Sequence, residues 1–144
     1  MKACSTIIFA CFAIILISIL DSCSKIEKTP TIADRLVGSW REIKYATDDN
    51  NAGVLYSWEL KNINPSYKIL YYFNKNNTGK QTNTINDSTY VYNFTWKILP
   101  GDSVEIDGSG HDTIQYQIQA ITAASMTLET YSNHGLVWYI FNKN

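Results

Sequence analysis

The segment TYVYNFTWKIL, residues Thr89 to Leu99, decides the fold class because its side chains alternate strictly between two faces. One face is apolar and largely aromatic, and it consists of Tyr90, Tyr92, Phe94, Trp96 and Ile98. The other face carries mostly polar side chains of threonine, asparagine and lysine. Alternation of this kind, in aromatic and β-branched residues, predicts a half-buried antiparallel strand.

The same period of two recurs along the chain on both sides of this segment. TIQYQIQAI, Thr113 to Ile121, alternates apolar residues with three glutamines, and a short strand is expected just before it. Residues that favour turns separate the runs, at Asn77-Thr78-Gly79, Pro100-Gly101-Asp102, Asp107-Gly108 and Asn133-His134-Gly135. The predicted strands are 39–46, 67–74, 78–85, 89–99, 103–107, 112–121, 125–131 and 135–142, with 54–60 left open.

These strands predict an all-β domain, an up-and-down antiparallel meander of about eight strands that closes into a β-barrel. A short helical turn over residues 31–37 precedes it, with Thr31 as the cap and Asp34 in the first turn. An eight-stranded barrel is either filled by its own side chains or holds one small ligand. The sequence leaves these two possibilities open.

The N-terminus predicts a leader rather than part of the fold. Lys2 is followed by an apolar run from Ile7 to Leu20, which is shorter than the roughly 20 residues that span a bilayer. Leu20-Asp21-Ser22-Cys23 resembles a bacterial lipobox, which implies cleavage before Cys23 and attachment of lipid to its thiol. We therefore expect a signal peptide at 1–22, a lipidated cysteine and tether at 23–32, and the barrel domain at 33–144; an uncleaved membrane anchor is the alternative.

Composition excludes several classes of function. The formal net charge of −1 argues against nucleic acid as a partner. Cys4, Cys11 and Cys23 all lie in the leader or at the lipidation position, so the mature chain has no thiol for catalysis or metal binding. His111 and His134 lie in turn segments without a second histidine at ligand spacing. We expect no metal, no cofactor and no enzymatic activity.

LVGSWRE, Leu36 to Glu42, contains Gly38-Ser39-Trp40 at the opening of the first strand and resembles the Gly-x-Trp signature of lipocalins. The resemblance implies that Trp40 plugs the closed end of the barrel, that Gly38 lets the chain pass close by, and that a basic side chain covers the indole. Arg41 is assigned to this barrel-closing motif, with Arg35 and Lys143 as further candidates for the cover.

The whole layout is similar to the short lipocalin-like lipoproteins of Gram-negative envelopes, and the similarity covers about residues 34–144. It implies a monomer anchored by its lipid, with the outer membrane as the expected location. The implied function is non-catalytic binding of a small apolar or amphipathic molecule. Trp58, on the long loop 47–66, would act as a lid, and the wall candidates are Tyr72, Tyr90, Tyr92, Phe94, Trp96, Ile114 and Tyr116.

The alternative is an accessory lipoprotein with a filled barrel that binds a protein or a glycan through its surface. Asp-Ser/Thr-apolar triplets at Asp87, Asp102 and Asp112 also resemble acceptor sites for O-glycans in some bacterial envelopes, although they are equally typical of turns.

Overall fold

The structure is a computed structural model, and it describes residues 28–48, 53, 56, 58–108, 113–132 and 135–144. Within these residues it contains one short helix, α1, and nine strands. Helix α1 is Ile32–Leu36, and the strands are β1 Gly38–Thr47, β2 Lys61–Asn62, β3 Tyr67–Phe73, β4 Thr78–Ile85, β5 Ser88–Leu99, β6 Ser103–Gly108, β7 Ile114–Ile121, β8 Ser125–Ser132 and β9 Gly135–Lys143. None of the helices in the described part of the chain has the length and apolarity that crossing a membrane requires.

The strands form a closed antiparallel barrel. From β3 to β9 each strand pairs with the next one in sequence, and β1 pairs with both β3 and β9. The all-β meander predicted from the alternation is therefore confirmed, and all eight predicted strands begin and end within two residues of the observed ones. Because β1 and β9 pair over most of their length, the barrel that these eight strands form has no open seam on that side.

Strand β1 changes partners along its length. Its first part, Gly38 to Arg41, pairs with β3, whereas Lys44 and Tyr45 pair with the two-residue strand β2. A bulge at Ile43 separates the two parts, and the Ile43 carbonyl accepts a hydrogen bond of 3.1 Å from the Ile63 N–H. Beyond this bulge, β2 and the residues after it therefore fill the wall between β1 and β3.

Local chemistry explains where the elements begin and turn. Thr31 and Asp34 form a capping box: the Asp34 N–H donates to the Thr31 hydroxyl, and the Thr31 N–H donates to the Asp34 carboxylate. The predicted turns at Asn77 and at Gly101-Asp102 have the positive φ angles that these residue types tolerate. The turn predicted at Asp107-Gly108 is wrong, because both residues lie in β6 and pair with β5.

Several predictions concern residues outside the described part of the chain. They are the signal peptide, Cys23 and the first part of the tether, together with His111, Asp112 and His134. These remain predictions from the sequence.

Candidate functional site

The barrel is filled in the half where helix α1 lies, which we call the base. There the inward-facing side chains pack against one another and against Leu36 of the helix. The packed set includes Trp40, Phe73, Trp96, Val104, Ile118, Met126, Leu128 and Phe141. The base is therefore closed by side chains.

Trp40 closes the base, as the lipocalin resemblance implied. Its side chain is fully buried, and its indole Nε1 donates a hydrogen bond of 2.7 Å to the carbonyl of Leu36. The Lys143 Nζ lies 4.6 Å from the centre of the Trp40 ring and donates to the carbonyls of Arg35 and Val37 at 3.2 and 2.8 Å. One lysine from the last strand thus joins the indole to the end of helix α1.

The cover of the indole is Lys143, and Arg41 does not take this role. Arg41 follows the inward-facing Trp40 in an alternating strand, so its exposed side chain lies on the outer face. Gly38 has a φ of +136°, and a Cβ there would lie 2.7 Å from the Lys143 Cε. The glycine of the motif therefore makes room for the lysine that covers the tryptophan.

The other half of the barrel, which we call the mouth half, is hollow. It holds a cavity of about 270 Å³. Its walls come from β3 to β7 and are mainly aromatic and apolar, with two amide side chains. The lining residues include Tyr71, Gln81, Asn83, Tyr92, Phe94, Ile106, Ile114 and Tyr116. A cavity just below the range of about 300–1,000 Å³ found for drug-sized ligands has room for a small molecule.

Four of the wall candidates named from the sequence line this cavity: Tyr92, Phe94, Ile114 and Tyr116. Tyr90 faces the same way but lies nearer the rim, where its side chain is 51% exposed. The remaining two wall candidates, Trp96 and Tyr72, and the predicted lid residue Trp58 lie elsewhere.

Trp96 lies below the cavity in the packed base, where its indole Nε1 donates to the Thr78 carbonyl at 3.0 Å. Tyr72 alternates with the inward-facing Tyr71 and Phe73, so it lies on the outer face. There the Lys80 Nζ lies 4.7 Å from the centre of its ring.

Trp58 is 67% exposed and stacks on Tyr56 with ring centres 5.7 Å apart. Leu60, two residues after Trp58, packs with Ala46, Leu136 and Trp138. Trp138 is next to the inward-facing Tyr139 in an alternating strand, so this cluster lies on the outside of the wall. The described part of the long loop therefore covers the outer face of β1 and β9.

A second depression, the outer groove, lies on the outside of β3 to β6. It has a volume of about 810 Å³ and is wide and open to solvent. Its side chains are mostly polar, and they include Tyr72, Asn74, Thr78, Lys80, Asn93, Thr95 and Asp107. This groove is larger than the interior cavity and is also more open to solvent.

The sequence reasoning did not identify Glu42, the one carboxyl group that the described strands place inside the barrel. Its side chain is 5% exposed, and the pairing of Glu42 with Phe141 directs it inward. Burial raises the pKa of Glu42 to about 7, because the carboxylate loses its hydration there. A signal was present: Glu42 lies two residues after Trp40, on the same face of an alternating strand.

Three tyrosines surround this carboxyl group: Tyr71 of β3, Tyr116 of β7 and Tyr139 of β9. Burial raises the pKa of each phenol, and the charge of Glu42 raises it further. The rings of Tyr116 and Tyr139 meet edge to face with centres 6.1 Å apart. Tyr71 and Tyr116 also line the cavity, whereas Glu42 itself does not.

Glu42 also borders a small cleft of about 100 Å³ at the seam between β1 and β3, together with Arg41, Ile43, Ile63, Asn64, Pro65 and Tyr67. This is the place where β1 leaves β3 and pairs with β2. Elsewhere, within the described ranges, no group of three or more histidine, cysteine or acidic residues is placed to hold a metal ion.

Comparison with solved structures shows the same fold in bacterial proteins. A lipocalin-like protein from Bacteroides uniformis superimposes with a TM-score of 0.56 at 15% identity, covering 76% of this chain and 99% of that one. An uncharacterized protein from Bacteroides eggerthii gives a TM-score of 0.53 at 17% identity, covering 75% and 98%. No curated protein matches the chain significantly.

Residues 36–128 match the family described as the lipocalin-like domain, a stretch that runs from the Trp40 motif through β8. The matched stretch therefore includes both the motif that closes the base and the strands β3 to β7 that line the cavity. The chain belongs to the lipocalin-like domain family.

Proposed function

We propose that this protein binds a small apolar or amphipathic molecule inside the mouth half of its barrel, without covalent chemistry. The observation that carries the proposal is the cavity of about 270 Å³ above a closed base. Aromatic and aliphatic walls with a few polar groups are typical of small-molecule sites. Here Gln81, Asn83 and the tyrosine hydroxyls supply those polar groups.

The size of the cavity restricts the ligand. A dry cavity of about 150 Å³ in another protein holds benzene, so this one suits a molecule with one ring and a short chain. A long fatty acid would extend far beyond the rim. We therefore expect a compact ligand whose ring stacks against Tyr92, Phe94 or Tyr116.

Arginine substitutions at two positions test this site. Ile114 lines the cavity and is 43% exposed, so Ile114→Arg should block the cavity without removing a core side chain. Val91 is 56% exposed on the outer face of β5, and Val91→Arg is the matched control. Phe94 suits this purpose less well, because it packs against Phe73 in the core.

The readout is native mass spectrometry on full-length chain purified without denaturant and incubated with single-ring apolar compounds. We expect a bound mass on the wild type and on Val91→Arg, and none on Ile114→Arg. A bare mass for the wild type, or equal binding by both variants, would contradict binding in the barrel.

We further propose that the chain is anchored by lipid on Cys23 in the envelope of a Gram-negative bacterium, at the outer membrane. The lipobox-like Leu20-Asp21-Ser22-Cys23 after a short apolar run supports this. Metabolic labelling with a fatty acid should mark the wild type and the control Cys11→Ser but not Cys23→Ser. Labelling that persists in Cys23→Ser would refute the assignment.

The outer groove supports a second candidate function, the binding of a glycan on the surface. Amide, hydroxyl and carboxylate groups beside the Tyr72 ring provide directional hydrogen bonds and an aromatic surface. Glycan-array binding that is lost in Tyr72→Ala and kept in Ile114→Arg would favour this surface. The reverse pattern would favour the cavity.

A further inference from the structure

Acidic and basic side chains are distributed unevenly between the interior of the barrel and its outer face. Glu42 is a buried carboxyl group, whereas no described lysine or arginine is buried above Trp40. Lys61 of β2 pairs with Tyr45 and so shares the inward face, but its side chain is exposed. Lys44, Lys68, Lys80 and Lys97 alternate with inward-facing neighbours and lie on the outer face, while Lys143 is held at the base by helix α1. The described interior therefore buries an anion and no cation.

The groups that face Glu42 are weak partners for it. On β3, β7 and β9 these are the phenols of Tyr71, Tyr116 and Tyr139, and at the seam the rim residue Tyr67 joins them. Arg41, its neighbour in β1, also borders the seam cleft, but its side chain is exposed and lies on the outer face. Among the described residues, no side chain donates a hydrogen bond to this carboxylate or forms an ion pair with it, so a partner of positive charge is missing.

The walls between the carboxyl group and the rim are the kind of surface on which cations are held. Tyr71, Tyr92, Phe94 and Tyr116 surround the cavity with aromatic rings. A protonated amine near such rings gains about 0.5–2 kcal/mol from each well-placed cation–π contact. The ring of an arylalkylamine can stack on the same walls.

We propose that the ligand of this barrel is a small amine, of the size of a single-ring arylalkylamine, whose protonated nitrogen enters first and pairs with the Glu42 carboxylate past the hydroxyls of Tyr71 and Tyr116. This inference rests on the proposed function, since it assigns a chemical class to the molecule that the cavity binds. It excludes fatty acids and other anions, which the carboxylate repels.

Three probes of matched shape separate charge from size: 2-phenylethylamine, 2-phenylethanol and phenylacetate. Their binding to the purified full-length chain is measured by calorimetry at several pH values. We expect the amine to bind at least about tenfold more tightly than the alcohol at pH 8, and phenylacetate to bind weakest.

Affinity for the amine should depend on pH because only the ionised carboxyl group pairs with it. Since the pKa of Glu42 is about 7 without ligand, about a tenth of the protein is ionised at pH 6 and about nine tenths at pH 8. The affinity for the amine should therefore fall about tenfold from pH 8 to pH 6, while that for 2-phenylethanol stays constant.

Substitutions assign the effect to the carboxyl group. Glu42→Gln should remove the preference for the amine and its pH dependence while keeping the affinity for 2-phenylethanol. Glu42→Asp should keep part of both, and Glu105→Gln, an acidic residue paired with Lys97 on the outer face, should change neither. Retention of the alcohol's affinity shows that Glu42→Gln is folded.

The outcomes distinguish this inference from the proposed function. If the alcohol or phenylacetate binds as well as the amine, or the preference survives in Glu42→Gln, the amine assignment is overturned while the binding barrel stands. If none of the three compounds binds, both are overturned for ligands of this size.

Discussion

Replacing Glu42 by glutamine should make the folded chain more stable relative to the wild type as the pH rises. Below pH 4.5, both the folded and the unfolded wild type carry a protonated carboxyl group, so burial has little electrostatic cost. Between pH 4.5 and 7 the unfolded chain ionises, whereas the folded chain keeps its proton. The free energy of unfolding of the wild type therefore falls across this window and then levels off.

The shift in pKa gives the size of the effect. The pKa of Glu42 moves from 4.5 to about 7, and each unit corresponds to about 1.4 kcal/mol, so the loss approaches about 3 kcal/mol above pH 7. Glutamine has no charge at any of these pH values and shows no such loss. This is a large part of the stability of a small domain, which is typically about 5–15 kcal/mol.

The assay is urea denaturation followed by tryptophan fluorescence, for both chains, at pH values from about 4.5 to 8.5. The quantity of interest is the difference in unfolding free energy between Glu42→Gln and the wild type. We expect it to increase with pH by about 3 kcal/mol, with its midpoint between the two pKa values.

Glu105→Gln is the control with the opposite sign. The contact with Lys97, followed by that with Gln115, lowers the pKa of Glu105 on the outer face. Its contribution to stability is therefore present above the ordinary pKa and is lost on acidification, so Glu105→Gln should destabilise slightly at neutral pH and not at low pH. If the difference in unfolding free energy between Glu42→Gln and the wild type does not change with pH, the conclusion that Glu42 is buried with a raised pKa is refuted.

Three further substitutions test the packing of the barrel. Gly79→Ala should cost about 1–3 kcal/mol in urea denaturation, because a Cβ there would overlap the Phe94 ring and lie 2.6 Å from the Tyr72 carbonyl oxygen; an unchanged stability would contradict this contact. Lys143→Met should cost about 1–2 kcal/mol by losing the contact with the Trp40 ring and with the end of α1, and a thermal melt unchanged from the wild type would count against it. Leu60→Ser should speed proteolytic cleavage near residue 60 by weakening its packing on the outer cluster, whereas equal cleavage of both chains would show that this packing does not hold the segment.

Much of the fold could be predicted from the sequence because it depends on local patterns. The alternation of Thr89 to Leu99 sets a strand whatever its partners are, and Thr31 with Asp34 sets the start of the helix. The same holds for the wall residues Tyr92 and Tyr116, whose face is fixed by their own strands. These features can be predicted without knowing the register in which the strands pair.

The rest of the site depends on pairing across the barrel, which the sequence does not state. In Tyr71-Tyr72-Phe73 either tyrosine could face inward, and the pairing of Phe73 with Gly79 decides for Tyr71. Whether the barrel is hollow depends on how side chains from several strands fill it together. Trp58 could not be placed because Leu60, two residues later, docks on the outside of the wall.

The contact between Lys143 and Trp40 also brings the two ends of the described chain together. Helix α1 reaches the barrel at the base, and the Asn144 N–H donates a hydrogen bond of 2.8 Å to the Ser39 carbonyl there. An affinity tag or a sensor surface attached close to Asn144 therefore lies on the side of the barrel opposite the rim. A ligand bound in the mouth half, as we propose, would then exchange directly with the surrounding water, and immobilisation through the C-terminal end would leave the binding assay unobstructed.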